Sequence, residues 1–474
     1  MSLVVVGVLP VGGVAADSLD NPPWLKWSRW FPLWPSGASA TAVASLPEPV
    51  ENATMALVMV SRTDEGLYVP AVFLIDGTNG FVTKEIRGFS GIIPYDAIVL
   101  DIDHDGHRQE MVIAHDLGLT ALDLATGIIL WQWIATSYLA GKAVLVEGTD
   151  PLMIALGETG AIYAVYLSNG TLAWTVPGVE NWWGLWTAPA LVNLGESSGV
   201  VAVLPPVTDP WGAILVPPQI RLVDLSTRVT RWRVPLGHLP IGTVPLVTSV
   251  GPIGDAGIVI SDGEWELAIR AFDGQLIWNT TLDSPIMDFP FPPLVVNTPT
   301  GQTIVAPTYP NGLLRIDPKN GAADLTTSRC GTSAVRMLPA DFHGNGFPEV
   351  ITATSEGSIC VHSVPQFDLL WNYSARTAFT AAPGLGDFDD DQAPELVTVS
   401  DDGWVDAYDL PFSPLQLPGP DWKPTAVVLG SLFAGVAVAA LWILVRRRRR
   451  RGTNPRDTVE SPGGESSLDR GFRP

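Results

Sequence analysis

The chain has 474 residues, 46% of them hydrophobic, with 46 glycines and 42 prolines. That length exceeds one compact layered domain but suits a closed repeat architecture, and the Gly and Pro content suits many short strands joined by tight turns. A net charge of −22 argues against nucleic acid as a partner, and two cysteines, Cys330 and Cys360, are too few for a disulfide scaffold.

In chain order, residues 1–16 read as a signal peptide. Leu3–Ala16 (LVVVGVLPVGGVAA) is apolar and ends in small residues before Asp17, although it lacks the usual basic lead-in. Residues 17–40 read as a Trp-rich strap. In PPWLKWSRWFPLW, Trp24, Trp27, Trp30 and Trp34 are spaced three, three and four apart, which would align them on a helix broken by Pro32. The expectation is a plug or strap packed on the body of the protein, with an amphipathic segment at a membrane surface as the other reading.

Residues 41–418 carry a repeated phrase. LTALDLATGIILW, AIYAVYLSNGTLAW, IRLVDLSTRVTRW, LAIRAFDGQLIW and ICVHSVPQFDLLW end at Trp131, Trp174, Trp232, Trp278 and Trp371. Weaker copies end at Lys84, Leu325 and Gln416, which makes eight, mostly 43 to 47 residues apart. Each phrase reads as a hairpin, an alternating strand, an Asp/Asn/Gly turn and a second strand carrying the Trp. Further apolar runs (EMVIAHD, PLMIALGETG, AGIVISDG, EVITATSEG, ELVTVSDDG) bring each unit to about four strands. This predicts an all-β fold, an eight-bladed β-propeller of four-stranded blades. The tryptophans are expected to pack blade against blade.

DLATGIILW and its relatives resemble the quinoprotein-type (PQQ-like) propeller repeat. The acidic loops DIDHDGHRQE, DFHGNGFPE and DFDDDQAPE resemble the FG-GAP/VCBS repeats of integrin α-subunit propellers. The likeness is specific for architecture and weak for function, because such propellers serve enzymes, assembly factors and adhesion receptors.

The loops place oxygen-bearing side chains mainly at positions one, three and five and a Glu at the start of the next strand. Such an oxygen set suits a hard cation, calcium better than magnesium. The candidate ligands are Asp101, Asp103, Asp105 and Glu110, then Asp341, Asn345 and Glu349, then Asp387, Asp389, Asp391 and Glu395. In the family pattern the last acidic ligand is the ninth residue. Glu349 and Glu395 match, whereas Gln109 stands there in the first loop and Glu110 follows. His343 replaces an acid in the second loop and Gln392 a turn glycine in the third. An EF-hand fits less well than the integrin-type loop, since Val112 stands at its twelfth position and a strand follows. The bland alternative is three solvated, ion-free turns. Up to three calcium ions and no organic cofactor are expected.

Asn52, Asn169, Asn279 and Asn372 head N-x-[ST] sequons and are glycosylation candidates on an exported chain. Cys330 and Cys360 pair if the chain is exported; otherwise they are two small core residues. NWWGLW, residues 181–186, is either an exposed aromatic loop for a partner or glycan, or packing beneath the longest inter-repeat gap. The six histidines are scattered, and no HExxH, GxSxG, CxxC or phosphate loop is present.

After a linker at 419–424, residues 425–445 (TAVVLGSLFAGVAVAALWILV) carry no charge and are long enough for one transmembrane helix. Arg446–Arg451 follow directly, which places the tail 446–474 in the cytoplasm and the propeller outside the cell. The tail is polar and expected to be disordered. It holds nine arginines and four acids, leaving 27 − 9 = 18 bases against 49 − 4 = 45 acids elsewhere.

The expected protein is a single-pass type I cell-membrane glycoprotein, a calcium-stabilised propeller without enzymatic activity. It would serve recognition, adhesion or scaffolding toward an extracellular protein or glycan. One alternative is a membrane-anchored quinoprotein dehydrogenase, a family that carries adjacent cysteines, unlike Cys330 and Cys360. The other is an envelope-assembly scaffold resembling the propeller lipoprotein of outer-membrane insertion, although no N-terminal lipobox cysteine is present.

Overall fold

The computed structural model describes residues 25–31 and 40–409, except 63–67, 92, 180–186, 196, 210–212, 238–243, 263–264, 282–292, 299–300, 309–311, 328–329, 331–333, 341–347, 355, 365, 375–382, 390, 392–394 and 401–402. The expected signal peptide, transmembrane helix, basic tail and NWWGLW loop lie outside the described residues. Among the described residues, no helix is long and apolar enough to cross a membrane.

The strands form eight four-stranded antiparallel sheets and one small hairpin, an all-β eight-bladed propeller. Blades 1 to 7 span residues 40–87, 94–134, 144–176, 190–235, 246–281, 294–327 and 334–374. Blade 8 combines residues 384–409 with Leu25–Trp30. The hairpin, Val207–Thr208 with Ile214–Val216, is inserted between the second and third strands of blade 4. First strands of neighbouring blades touch, such as Ala40–Val50 with Pro94–Leu100, so they line the axis and the fourth strands form the rim.

Position in the blade explains the sequence patterns. The second strands EMVIAH, EVITAT and ELVTV are buried at every residue, because neighbouring blades cover both their faces. The rim strand ILWQWI is more exposed and keeps its Trp131 buried. The seams are apolar. At the ring closure, Met55, Leu57 and Met59 of blade 1 pack with Phe388, Val397 and Val405 of blade 8.

Repeated tryptophans tie blades 2, 4 and 5 to the blades that follow them. The indole N–H groups of Trp131, Trp232 and Trp278 each donate to a backbone carbonyl in the following blade, at Leu167, Ala271 and Pro318, all at 2.9 Å. The ring face covers the hairpin turn there. A Cβ on Gly170 would lie 2.6 Å from the Trp131 ring, and one on Gly274 would lie 2.8 Å from that of Trp232. Both glycines also have positive φ (+69° and +74°), a conformation that costs a side-chain-bearing residue free energy. Lys84, in the Trp position of blade 1, makes the same bond from its ammonium to the Ala125 carbonyl.

The last blade differs from expectation. Residues 25–30, expected as a strap, are a strand of the ring, paired antiparallel with Trp404–Asp409. Helical spacing misleads here. Two positions three apart share a helix face but lie on opposite faces of a strand, and Trp27 is 7% exposed while Trp30 is 58% exposed. Trp27 is the tryptophan of the eighth blade. Its indole donates to the Gly77 carbonyl of blade 1 at 2.6 Å. The place expected for residues up to Gln416 is taken by the chain's own beginning, which pairs the edge that the ring would otherwise leave open.

Antiparallel pairing puts connections between first and second strands, and between third and fourth, on one face of the ring. The described chain enters blade 8 at Leu25 and leaves it at Asp409 on that face, as the pairings Leu25 with Tyr408 and Glu395 with Asp409 require. A disulfide joins Cys330, ahead of blade 7, to Cys360 on its third strand, with Cα atoms 5.9 Å apart.

Candidate metal centres

All three acidic loops connect the first and second strands of a blade, and they share one register. Glu110, Glu349 and Glu395 each open the second strand and pair with the last residue of the first, Leu100, Ala340 and Gly386. The displacement of Glu110 from the ninth position is thus absorbed inside the loop. All three glutamates are buried.

In blade 2, oxygens of Asp101, Asp103 and Glu110 lie within 4.8 Å of one another. The backbone N–H of Ile102 donates to Glu110 Oε2 at 2.7 Å and fixes that carboxylate beneath the loop. Gly106 N–H donates to Asp101 Oδ2 at 3.2 Å, while Asp101 Oδ1 is buried without a hydrogen-bond partner. Asp105 stands apart from this trio. Its Oδ1 accepts from His107 N–H at 2.7 Å and shapes the turn. The loop reverses through His104 (φ +62°) and Gly106 (φ +93°). His107 Nδ1 lies 2.8 Å from Glu48 Oε2 of blade 1, a contact that raises the imidazole pKa. Burial pushes the Glu110 carboxyl above its usual range, the Ile102 N–H opposes this, and Asp103, Asp105 and Asp101 add repulsion. A divalent cation among these oxygens would reverse that repulsion.

In blade 8, oxygens of Asp387, Asp389, Asp391 and Glu395 converge within the same 4.8 Å limit. Phe388 N–H donates to Glu395 Oε2, as Ile102 does to Glu110. Asp391 N–H lies 3.2 Å from Asp387 Oδ1 and 3.3 Å from Asp389 Oδ1. Burial pushes the Glu395 carboxyl up to about 8, against the Phe388 N–H and the positive charge of Lys26.

Lys26 is the residue that sequence reading missed. Its ammonium pairs with Asp389 and lies 3.0 Å from Asp409 Oδ1 and 3.8 Å from both Asp391 Oδ2 and Glu395 Oε1. Burial alone would lower its pKa, but the bonds to Asp389 and Asp409 outweigh burial and raise it. One signal was available. The chain has five lysines, and this one directly precedes a tryptophan of the repeat.

In blade 7 the structure places Glu349; Asp341 and Asn345 lie outside the described residues. All four sequon asparagines are exposed. Asn52 and Asn169 sit in turns on the loop-bearing face, Asn279 and Asn372 on rim strands of blades 5 and 7.

No protein-family model matches the chain, and no curated protein matches it. Solved structures do, 1349 chains in all, which shows how widely the fold is shared. Sqt1 of Saccharomyces cerevisiae aligns over 82% of this chain and 99% of its own at 9% identity, with a TM-score of 0.56. The computationally designed Ika8 protein aligns over 82% and 100% at 14% identity, with a TM-score of 0.54. The Dos1 propeller aligns over 83% and 98% at 13% identity, also with a TM-score of 0.54. At such identities these similarities establish the propeller fold alone.

Proposed function

We propose that this chain is a cell-surface binding, adhesion or scaffolding module without enzymatic activity. It is a calcium-stabilised propeller of the FG-GAP/PQQ-like kind, held outside the cell by the helix expected at 425–445. The observation that carries the calcium reading is the convergence of Asp101, Asp103 and the buried Glu110 around a carboxylate oxygen that has no hydrogen-bond partner. Hard cations take six to eight oxygens in flexible loops of this kind, and the ion would stiffen a connection that its own charge otherwise spreads.

In this reading the chain, which leaves blade 8 at Asp409 on the face that bears the acidic loops, runs on to a membrane helix, and that face is turned toward the bilayer. The opposite face, with the blade-to-blade connections and the inserted hairpin, is then left for an extracellular protein or glycan. The four exposed sequons suit an exported chain, as does the buried disulfide.

The test uses cells displaying the full-length chain with a tag at each end of the ring sequence. A tag ahead of Leu25 is expected to stain on intact cells, and a C-terminal tag only after permeabilisation. Adhesion of these cells to partner cells is expected to fall when calcium is chelated and to recover on re-addition. A C-terminal tag stained on intact cells, or adhesion indifferent to chelator, contradicts the proposal.

A further inference from the structure

The three acidic loops share a register, yet they differ in what stands on the rim strand of their blade. In blade 8 the rim strand pairs Leu25 with Tyr408 and Trp27 with Ala407, leaving Lys26 at the irregular step between them. Blade 2 has the same step between Ile129 and Trp131, and blade 7 has it between Leu369 and Trp371. The residues there are Leu130 and Leu370, 43% and 44% exposed. Lys26 instead turns inward, with its side chain 16% exposed, and reaches across the third strand into the loop.

We infer that the Lys26 ammonium is the resident cation of the Asp387–Glu395 loop, so that this loop takes no calcium while Lys26 is present. A lysine has one charge and three donors. Here it faces four carboxylates, Asp389, Asp391, Glu395 and Asp409, and the first three belong, with Asp387, to the group that could gather a metal. Glu395 is fully buried, and its Oε1, which makes no hydrogen bond among the described residues, lies 3.8 Å from the ammonium. Asp409 marks the second difference. Its counterpart in blade 2, Asp123, pairs with Glu110 in the same way but spends its carboxylate on Thr126, capping its own turn at 2.5 Å and 3.1 Å. Among the described residues, Asp409 instead meets the lysine, at 3.0 Å.

The consequence is a division of labour. The blade that closes the ring is held by a cation carried on the closing strand itself, so closure does not depend on ambient calcium. Blade 2 depends on an ion from solution. The contrast rests on the calcium reading of the Asp101–Glu110 loop, but the occupancy of the blade 8 loop is tested separately.

Equilibrium dialysis of the full-length chain against calcium measures the number of ions bound. Lys26→Met is expected to bind one calcium more than the wild type, and Lys26→Met/Asp389→Asn to lose it again. Equal numbers in wild type and Lys26→Met overturn the inference. If Lys26→Met does not fold, Asp389→Asn alone decides. An unchanged number upholds the lysine as occupant, and the loss of one ion shows that calcium had displaced it. Failure of the blade 2 reading has its own signature: Asp101→Asn/Asp103→Asn binds as many ions as the wild type, while the gain in Lys26→Met stands.

Discussion

Replacing Trp131 with alanine empties the seam between blades 2 and 3. The indole is 9% exposed and its N–H donates to the Leu167 carbonyl at 2.9 Å. A tryptophan-to-alanine change in a packed core costs about 3–5 kcal/mol, a range that covers the lost area and the cavity left behind. Gly170→Ala attacks the same contact from the other side, because its Cβ would lie 2.6 Å from the ring and the residue has φ +69°. In the wild type it carries both the clash and the backbone cost, but in Trp131→Ala only the backbone cost of about 1 kcal/mol remains. The two changes should therefore be strongly non-additive, the double variant being more stable than the sum of the singles predicts by about 1–3 kcal/mol. Denaturant unfolding followed by far-UV circular dichroism measures all four corners of the cycle. Additive effects would refute the idea that the indole face and this glycine form one contact.

Two other expectations concern buried groups. Burial lowers the pKa of His115 and His362 to about 4 from an ordinary 6.5, so the unfolded chain takes up their protons first. Their contribution is unchanged above pH 6.5 and is lost as pH falls from 6.5 toward 4, by about 3 kcal/mol each. Unfolding measured at pH 7 and pH 4.5 should show less acid sensitivity in His115→Gln, and an unchanged pH dependence contradicts the assignment. Cys330→Ser/Cys360→Ser opens a loop of 30 residues. It is expected to lower stability by about 3–4 kcal/mol on chain-entropy grounds, and equal unfolding midpoints for the variant and the wild type would contradict that.

The repeat was legible because burial dictates it. Strands covered on both faces must be continuously apolar, and a residue wedged between two blades must be large, so EMVIAH and the terminal Trp of DLATGIILW recur. Turn chemistry was legible for a similar reason, since Gly170 and Gly274 are required by both φ and the indole. What the sequence concealed is long-range. Nothing local shows that LKWSRW pairs with Trp404–Asp409, 378 residues away at the Ser28–Asp406 hydrogen bond, and the tryptophan spacing favoured the wrong periodicity. Weak copies were concealed by substitution, as when Lys84 makes the bond that an indole makes elsewhere. The acidic loops announced their charge but not its neutralisation. The partner of Asp389 lies at the other end of the chain, and only closure of the ring brings Lys26 to it.

The measurement that tests the account most directly is an experimental structure of the full-length chain in calcium, with the anomalous signal of the ion recorded. Eight blades are expected, with Leu25–Trp30 as the rim strand of the last and one ion bound by Asp101, Asp103 and Glu110 with oxygens at about 2.3–2.6 Å. Lys26, and no ion, is expected among Asp387, Asp389, Asp391 and Glu395. A last blade completed by residues beyond 409, or an Asp101–Glu110 loop empty at saturating calcium, would contradict it.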